Sequence, residues 1–285
     1  ERIGENTFDN CTNLDITFQA QSTLKYASIN SFEDTKWYQT QKDSDSDFVI
    51  AGNLLIEYLS KDQYLVTLPA EVTAIREEVF MNDSDIVTVE IHSNIKFIGD
   101  RAFYNCSSLI NIDFEDAEFS DIEYVGEDAF ALTPWMEFRE KYVIAGTVLI
   151  KYVGVETQID DIPNYITIID EGAFAYNSME EITLPNSLKK INAGAFAYCN
   201  NLQRIVIPNN GTYIGEDAFR NCTSLKSVVF QGNALNEIGP RAFMGCSALG
   251  TDVQNLTLVL PSSLRELGEQ AFEGCGSLTK ADLSN

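Results

Sequence analysis

A phenylalanine recurs in the same local context along the whole chain, and this repeat limits the folds that its 285 residues can adopt. The intervals between these phenylalanines are 22 to 29 residues, apart from two of 44 and 48 that correspond to two repeats each. A fixed period of this length predicts a stack of about twelve similar turns, two of them without the phenylalanine, and not one compact domain. We call these residues the anchor phenylalanines: Phe8, Phe32, Phe80, Phe103, Phe130, Phe174, Phe196, Phe219, Phe243 and Phe272.

Each repeat carries two different apolar patterns. An aliphatic residue stands five positions before the anchor, as Ile214 does before Phe219, and acidic residues follow it. This spacing predicts a short helix over residues 214–222, with carboxylates favouring its first turn. Residues 204–208 alternate and end at proline, which predicts a strand of about three residues. Because one such helix and strand cannot bury a face alone, we expect stacked turns to pair their strands into a parallel sheet.

The repeat pattern, Ile-Gly-x-x-Ala-Phe-x-x-Cys-x-x-Leu-x-x-Ile-x-Ile/Leu-Pro, resembles the BspA-like class of leucine-rich repeats. Its clearest copies are residues 98–114, 191–208 and 214–230, and the resemblance covers nearly the whole chain. It implies an α/β repeat solenoid, a right-handed leucine-rich-repeat superhelix with short parallel strands on one face and short helices on the other. The expected organisation is a single solenoid over residues 1–285 that is a fragment of a longer chain.

Two segments depart from the ordinary repeat in the same way. Residues 48–58 and 142–152 align at an offset of 94, and each follows a tryptophan that lies five residues after an anchor. Both segments contain two apolar runs joined at a turn, Gly52-Asn53 or Gly146-Thr147. This pattern predicts two β-hairpin variant coils, in which the hairpin replaces the helix of an ordinary coil.

The charge of the chain disfavours several classes of partner. Its 43 acidic and 19 basic residues give a formal net charge of −24 and a pI near 4.2. This excess of carboxylates repels nucleic acids and anionic membrane surfaces. Since the 17 Phe and 12 Tyr supply apolar surface for a core, the chain is expected to fold and not to be a disordered acidic segment. No apolar run approaches the roughly 20 residues needed to cross a bilayer, so we expect no membrane insertion by this segment.

All six cysteines stand three residues after an anchor phenylalanine, and therefore share one column of the solenoid. Side chains in one column point in parallel, which suits the crossed geometry of a disulfide badly. Buried free thiols that act as small apolar residues are the favoured interpretation, with a three-disulfide framework and a metal site as the alternatives. The residues are Cys11, Cys106, Cys199, Cys222, Cys246 and Cys275.

The sequence predicts no catalytic residue, no cofactor and no metal site. His92 is the only histidine, its predicted position is an exposed turn, and no cysteine shares its column. Asp43, Asp45 and Asp47 resemble the start of a calcium loop, but Phe48 stands where such a loop needs glycine. A solvated loop is the favoured interpretation of this segment, and a weak, irregular calcium site is the alternative.

The open face of the predicted sheet is the most informative surface. Residues that flank the inward positions of each strand must point outward, and their character changes along the chain. Early outward residues are polar or acidic, whereas valines follow on three successive later coils, where they form an exposed apolar strip. Valine is also favoured on any strand face, which is the alternative explanation. The candidate ligand contacts are Val206, Val229 and Val259, with Arg204, Ser227 and Thr257 beside them.

The family resemblance implies a bacterial or protist protein at the cell surface or secreted, which binds other macromolecules and often acts as an adhesin. We therefore expect a binding module that is not an enzyme, with a protein as its ligand, for example an extracellular protein of a host. The alternative is a carbohydrate-binding or accessory domain of a larger secreted protein. Deep clefts lined by carboxylates and aromatic residues would favour the sugar alternative, and a smooth face would favour protein recognition.

Overall fold

The computed structural model describes residues 1–19, 22–60, 62–114, 122–254 and 256–283. The chain forms two compact units, Glu1–Arg139 and Glu140–Asn285, which we call unit 1 and unit 2. Unit 1 contains a 3₁₀ helix (Ile29–Ser31), α1 (Lys36–Lys42), α2 (Pro134–Glu137) and the strands β1 (Arg2–Ile3), β2 (Tyr26–Ala27), β3 (Phe48–Ala51), β4 (Leu54–Tyr58), β5 (Leu65–Thr67), β6 (Ala74–Ile75), β7 (Thr88–Ile91), β8 (Phe97–Ile98), β9 (Asn111–Phe114) and β10 (Tyr124–Val125). Unit 2 contains β11 (Tyr142–Ala145), β12 (Val148–Tyr152), β13 (Gln158–Ile159), β14 (Ile168–Ile169), β15 (Glu181–Ile182), β16 (Lys190–Ile191), β17 (Arg204–Ile207), β18 (Tyr213–Ile214), β19 (Ser227–Phe230), β20 (Glu237–Ile238), β21 (Leu258–Val259), β22 (Glu266–Leu267) and β23 (Ala281–Asp282).

Each ordinary turn contributes to two ladders of short strands. The first ladder contains the aliphatic residue before the anchor. It forms the sheets β1-β2 and β10-β8-β6-β4-β3 in unit 1 and the sheet β11-β12-β14-β16-β18-β20-β22 in unit 2. The second ladder follows the anchor and forms the sheets β5-β7-β9, β13-β15, β17-β19 and β21-β23. Pairing between turns is parallel, as predicted, and β17 confirms the strand expected after residue 203. The first ladder was not predicted.

The helix predicted over residues 214–222 is wrong, because this segment consists of strand β18 followed by tight turns. Asp217 and Asn221 have left-handed backbones, with φ of 55° and 56°, which end any right-handed helix. The N–H of Phe219 donates to the carbonyl of Ala242 in the next turn, 2.7 Å away, and not to a residue of its own segment. Left-handed pairs flank eight other anchors in the same way: Asn6/Asn10, Glu78/Asn82, Arg101/Asn105, Asp128/Leu132, Gly172/Tyr176, Gly194/Tyr198, Arg241/Gly245 and Gln270/Gly274.

The anchor phenylalanines form the centre of each core. In unit 2, Phe219 is fully buried and stacks between Phe196 and Phe243, with ring centroids 5.0 Å away on both sides. The rings are parallel within 2° on both sides. Phe80 and Phe103 stack in the same manner in unit 1, with centroids 4.8 Å apart. The repeat period therefore places one aromatic ring on the next.

Five of the six cysteines are buried, as predicted, and their thiols have a specific partner. Each Sγ donates to the main-chain carbonyl of the anchor phenylalanine in an earlier turn; Cys222, for example, donates to Phe196 at 3.1 Å. The other four bonds are Cys106 to Phe80, Cys199 to Phe174, Cys246 to Phe219 and Cys275 to Phe243. The prediction is wrong for Cys11, which is exposed.

The two variant coils contain antiparallel hairpins, β3 with β4 and β11 with β12. They do not replace a helix, since α1 ends shortly before β3 and α2 shortly before β11. Thr35 and Thr133, which stand at the cysteine position of their repeats, cap these two helices by accepting from the N–H groups of Tyr38 and Met136. No helix of the described residues is long and apolar enough to span a membrane.

Candidate functional site

Val206 and Val229 lie side by side on the second ladder of unit 2. Strands β17 and β19 pair in parallel with Val206 opposite Val229 and Arg204 opposite Ser227. The intervening Ile205 and Val228 point into the core and are 0% and 7% exposed. Both outward valines are partly exposed, and Arg204 is exposed at the start of β17. The alternation predicted for these two strands is confirmed at the valines.

Val259 has the same orientation on β21. Its side chain is 46% exposed, whereas the neighbouring Leu258 is buried at 5% exposure, and Thr257 is exposed. Strand β21 pairs with β23, so a separate two-stranded sheet carries Val259. An apolar side chain therefore faces outward in each of the three coils, as predicted.

Ser227 corrects the predicted set of surface residues, because it is only 2% exposed. Its hydroxyl donates to the carboxylate of Asp252 at 2.7 Å, and the N–H of Gly250 donates to the carbonyl of Lys226 at 2.9 Å. The extra residues of the repeat after Phe243 therefore fold against the start of β19. A ligand cannot contact Ser227 without displacing this insert.

The insert adds two apolar residues that the sequence analysis missed. Val253 is 85% exposed and Leu256 is 49% exposed. Because Asp252 contacts Ser227, the insert brings Val253 close to the strand that carries Val229. The sequence contained a signal for these two residues. The repeat does not require apolar residues in an insertion, so their presence there indicates a role outside the core. We call Val206, Val229, Val253, Leu256 and Val259 the valine surface.

The second ladder of unit 1 has the opposite character. Glu90 lies opposite Asp113 on β7 and β9, and both are exposed. The Thr67 hydroxyl of β5 donates to the Glu90 carboxylate at 2.6 Å. This face is polar and acidic, as the outward pattern predicted.

Unit 1 also contains a cavity of about 640 Å³ on the side of its first ladder. Carboxylates, basic groups and aromatic rings line it, among them Tyr26, Arg76, Phe97, Asp100 and Tyr124. Its volume lies within the range of about 300–1,000 Å³ that is typical of small-molecule sites. A concave site of this composition was the feature expected of a carbohydrate-binding module.

His92 lies in the turn after β7, as predicted, but is partly buried and not exposed. One ring nitrogen, Nε2, lies 2.9 Å from the carbonyl of Pro69, and Nδ1 accepts from the N–H of Asn94 at 3.3 Å. Both nitrogens are thus engaged by the main chain, in a structural role.

The loop of Asp43, Asp45 and Asp47 is exposed, and its serine hydroxyls donate to nearby main-chain carbonyls. Throughout the part of the chain that the structure describes, no group of three or more His, Cys, Asp or Glu side chains has an arrangement that could hold a metal ion.

The model of the BspA type leucine-rich repeat region matches this sequence in six copies, over residues 1–47, 60–139, 156–275 and 250–285. The matched segments together contain most of the chain, and they leave out both hairpins, where the repeat pattern is interrupted. No curated protein matches the sequence.

Several solved structures resemble the chain. The leucine-rich repeat protein of T. pallidum is 23% identical, with 79% of this chain and 82% of that protein covered and a TM-score of 0.35. A leucine-rich cell surface protein from Faecalibacterium prausnitzii is 23% identical, with coverage of 85% and 76% and a TM-score of 0.38. A leucine-rich repeat protein from Bacteroides ovatus is 22% identical, with coverage of 98% and 75% and a TM-score of 0.37.

Proposed function

The chain belongs to the family of BspA-type leucine-rich repeat proteins, and we propose that it is a non-catalytic, adhesin-like binding module at the cell surface or outside the cell. Its ligand is a protein that docks on the valine surface of unit 2. The observation that carries this proposal is the pairing of Val206 with Val229 on adjacent strands, both facing outward.

The composition of the valine surface suits protein recognition. Interfaces combine an apolar centre with a polar rim, and the apolar centre supplies most of the affinity. Exposed Arg204 and Thr257 lie beside the valines and form such a rim. Because the main chain of β17 and β19 is already paired, the side chains can be presented without a change of backbone.

The charge of the chain favours partners with a basic surface. A net charge of −24 attracts positive groups over a distance of about 8 Å at physiological ionic strength. Exposed Glu90 and Asp113 contribute to this field from the second ladder of unit 1. We expect the charges to raise the rate of association and the valine surface to set the rate of dissociation.

We include the absence of catalysis in this proposal, because the buried cysteine thiols and the imidazole of His92 are engaged by main-chain groups. The five buried thiols are bound to main-chain carbonyls, and burial raises the pKa of Cys106 to about 12. Both ring nitrogens of His92 contact main-chain groups, so neither is directed at a nucleophilic side chain.

The test uses Val229→Asp, with Thr183→Asp as the matched control. Both changes place one carboxylate at the same outward position of the second ladder of unit 2, but exposed Thr183 lies outside the valine surface. Each variant and the unchanged chain are passed over immobilised extracellular matrix and plasma proteins in a surface plasmon resonance panel. For the protein that binds, we expect Val229→Asp to weaken affinity more than tenfold, about 1.4 kcal/mol, and Thr183→Asp to leave it unchanged.

Unchanged binding by Val229→Asp, with a normal melting curve, would move the contact away from the valine surface. Failure of every immobilised protein to bind would contradict the proposal of a protein ligand.

A further inference from the structure

The cavity in unit 1 lies between aromatic side chains from separate turns. Tyr26, Phe97 and Tyr124 each stand six residues before an anchor, and all three line the cavity. One residue after the inward Ile75, Arg76 also lines it.

Arg76 has unused hydrogen-bonding capacity where it lines the cavity. Its side chain is only 11% exposed, and Nε donates to the carbonyl of Ile56 at 2.9 Å. The nearest carboxylate oxygen, of Glu77, lies 4.0 Å from Nη1, beyond hydrogen-bond distance. A guanidinium has five N–H donors, and the two Nη groups have no acceptor within hydrogen-bond distance among the described residues. The Nη groups are not among the buried donors without a partner, so they reach the open cavity, where a ligand that supplies oxygen atoms can accept from them.

Aromatic rings and a carboxylate complete the walls. Tyr124 is 45% exposed, and its hydroxyl donates to Asp100 at 2.8 Å, which fixes the ring at the rim. Lys25 lies 3.8 Å above the ring of Phe97 and forms an ion pair with Glu123, the residue before Tyr124, at 3.3 Å. The carboxylate of Asp100 accepts hydrogen bonds and Arg76 donates them from the same cavity.

The charge of the cavity differs from that of the chain. Three basic side chains balance three acidic ones in the lining, although the chain as a whole has a net charge of −24. A balanced lining gives no preference for a charged ligand, and the surrounding acidic surface repels anions. These six residues are Arg2, Lys25, Arg76, Glu1, Glu77 and Asp100.

We propose that this cavity binds a neutral oligosaccharide, with Arg76 and Asp100 contacting its hydroxyls and Tyr124 stacking on its ring. Sugar hydroxyls both donate and accept, so adjacent hydroxyls match a guanidinium beside a carboxylate. The C–H groups on one face of a pyranose carry small positive charges, and they pack on the negative face of an aromatic ring. The site lies in unit 1 and does not depend on the valine surface of unit 2, so either proposal can fail alone.

The test is isothermal titration calorimetry of the intact chain with maltotriose, cellotriose, mannotriose and galactotriose, and with trigalacturonate as a charged counterpart. We expect at least one of the neutral trisaccharides to bind with a Kd of about 0.01–1 mM. Arg76→Lys keeps the charge but loses the planar set of donors, and Tyr124→Ala removes the exposed ring. Each change should weaken binding at least tenfold.

The matched control is Tyr213→Ala, which removes a tyrosine from the same repeat position in unit 2, six residues before its anchor. This variant should bind the sugar as the unchanged chain does. Melting curves establish that all three variants are folded.

Three results would overturn the proposal. They are no heat with any neutral trisaccharide, binding of trigalacturonate alone, and neutral binding that folded Arg76→Lys and Tyr124→Ala leave unchanged.

Discussion

The ring of Tyr152 stacks on Phe174, with the centroids 5.2 Å apart and the planes at 27°. Tyr58 packs on Phe80 in unit 1, with the centroids 5.1 Å apart. Each tyrosine is the last residue of the second hairpin strand, β4 or β12. The two repeats that lack an anchor phenylalanine are therefore not gaps in the core, because a tyrosine of the hairpin fills the anchor position.

Replacement of Tyr152 tests this relationship. Tyr152 is only 6% exposed, so Tyr152→Ala should leave a cavity beside Phe174 and lower the free energy of unfolding by about 3 kcal/mol. Tyr152→Phe keeps the ring and loses only the hydroxyl that donates to Glu156, so its effect should stay within about 1 kcal/mol. Urea denaturation of both variants measures the difference. Equal losses would show that the hydroxyl, and not the ring, stabilises this turn.

Phe219 should be among the most important anchors, because it is fully buried with a parallel ring on each side. We expect Phe219→Ala to lower the free energy of unfolding by about 3–5 kcal/mol. Phe272 is the control, since it is only partly buried and stacks on Phe243 with its centroid 5.1 Å away. Phe272→Ala should therefore cost less. If Phe219→Ala unfolded at the same denaturant concentration as the unchanged chain, the result would contradict a core built on stacked anchors.

The sequence was sufficient to predict features that depend on the repeat register. The strand at residues 204–207 and the buried cysteine column follow from the spacing to the anchor alone. The prediction of a helix at residues 214–222 was wrong. It rested on the spacing of acidic and apolar residues and took no account of the residues on either side of the anchor. Gly194, two residues before its anchor, and Asn221 and Gly245, two residues after theirs, tolerate a left-handed backbone, and their positions could have indicated turns.

The outward valines of unit 2 could be predicted from the sequence, whereas the burial of Ser227 and the cavity of unit 1 could not. Val206 and Val229 could be placed because alternation along one strand decides which side chains point outward. The burial of Ser227 depends on Asp252, which belongs to an insertion without a repeat register. The cavity combines side chains from several separate turns around Arg76, and no single repeat contains its pattern.

The cysteine column predicts the number of reactive thiols. Cys11 is exposed, whereas the other five are buried, and burial raises the pKa of Cys106 and Cys275 to about 12. A thiol reagent should therefore react with one cysteine in the native protein and with six in denaturant without reductant. Cys11→Ser should reduce the native count to zero. Fewer than six thiols in denaturant would reveal a disulfide that the column geometry disfavours.

Because of Asp170, unit 2 should be more stable in mild acid than at neutral pH. It stands four residues before an anchor, and burial raises its pKa to about 6, with a smaller contribution from the charge of Glu171. An unfolded aspartate has a pKa near 3.9, so between about pH 4 and pH 6 the folded chain holds a proton that the unfolded chain has lost. The carboxyl therefore favours folding below about pH 4, and this advantage disappears as the pH rises through about 6. The difference amounts to about 2–3 kcal/mol.

Asp170→Asn tests the effect, because asparagine has nearly the same shape and no charge, and Asn192 already occupies the equivalent position in the next turn. The variant should unfold at higher urea than the unchanged chain at pH 8 and at a similar concentration at pH 4. Glu171→Gln removes the exposed neighbouring charge, and we expect it to have a much smaller effect at pH 8. If Asp170→Asn raised the urea concentration of unfolding equally at both pH values, ionisation of Asp170 would not be the cause. Burial at that position destabilises only the ionised carboxylate, which is the form present at pH 8.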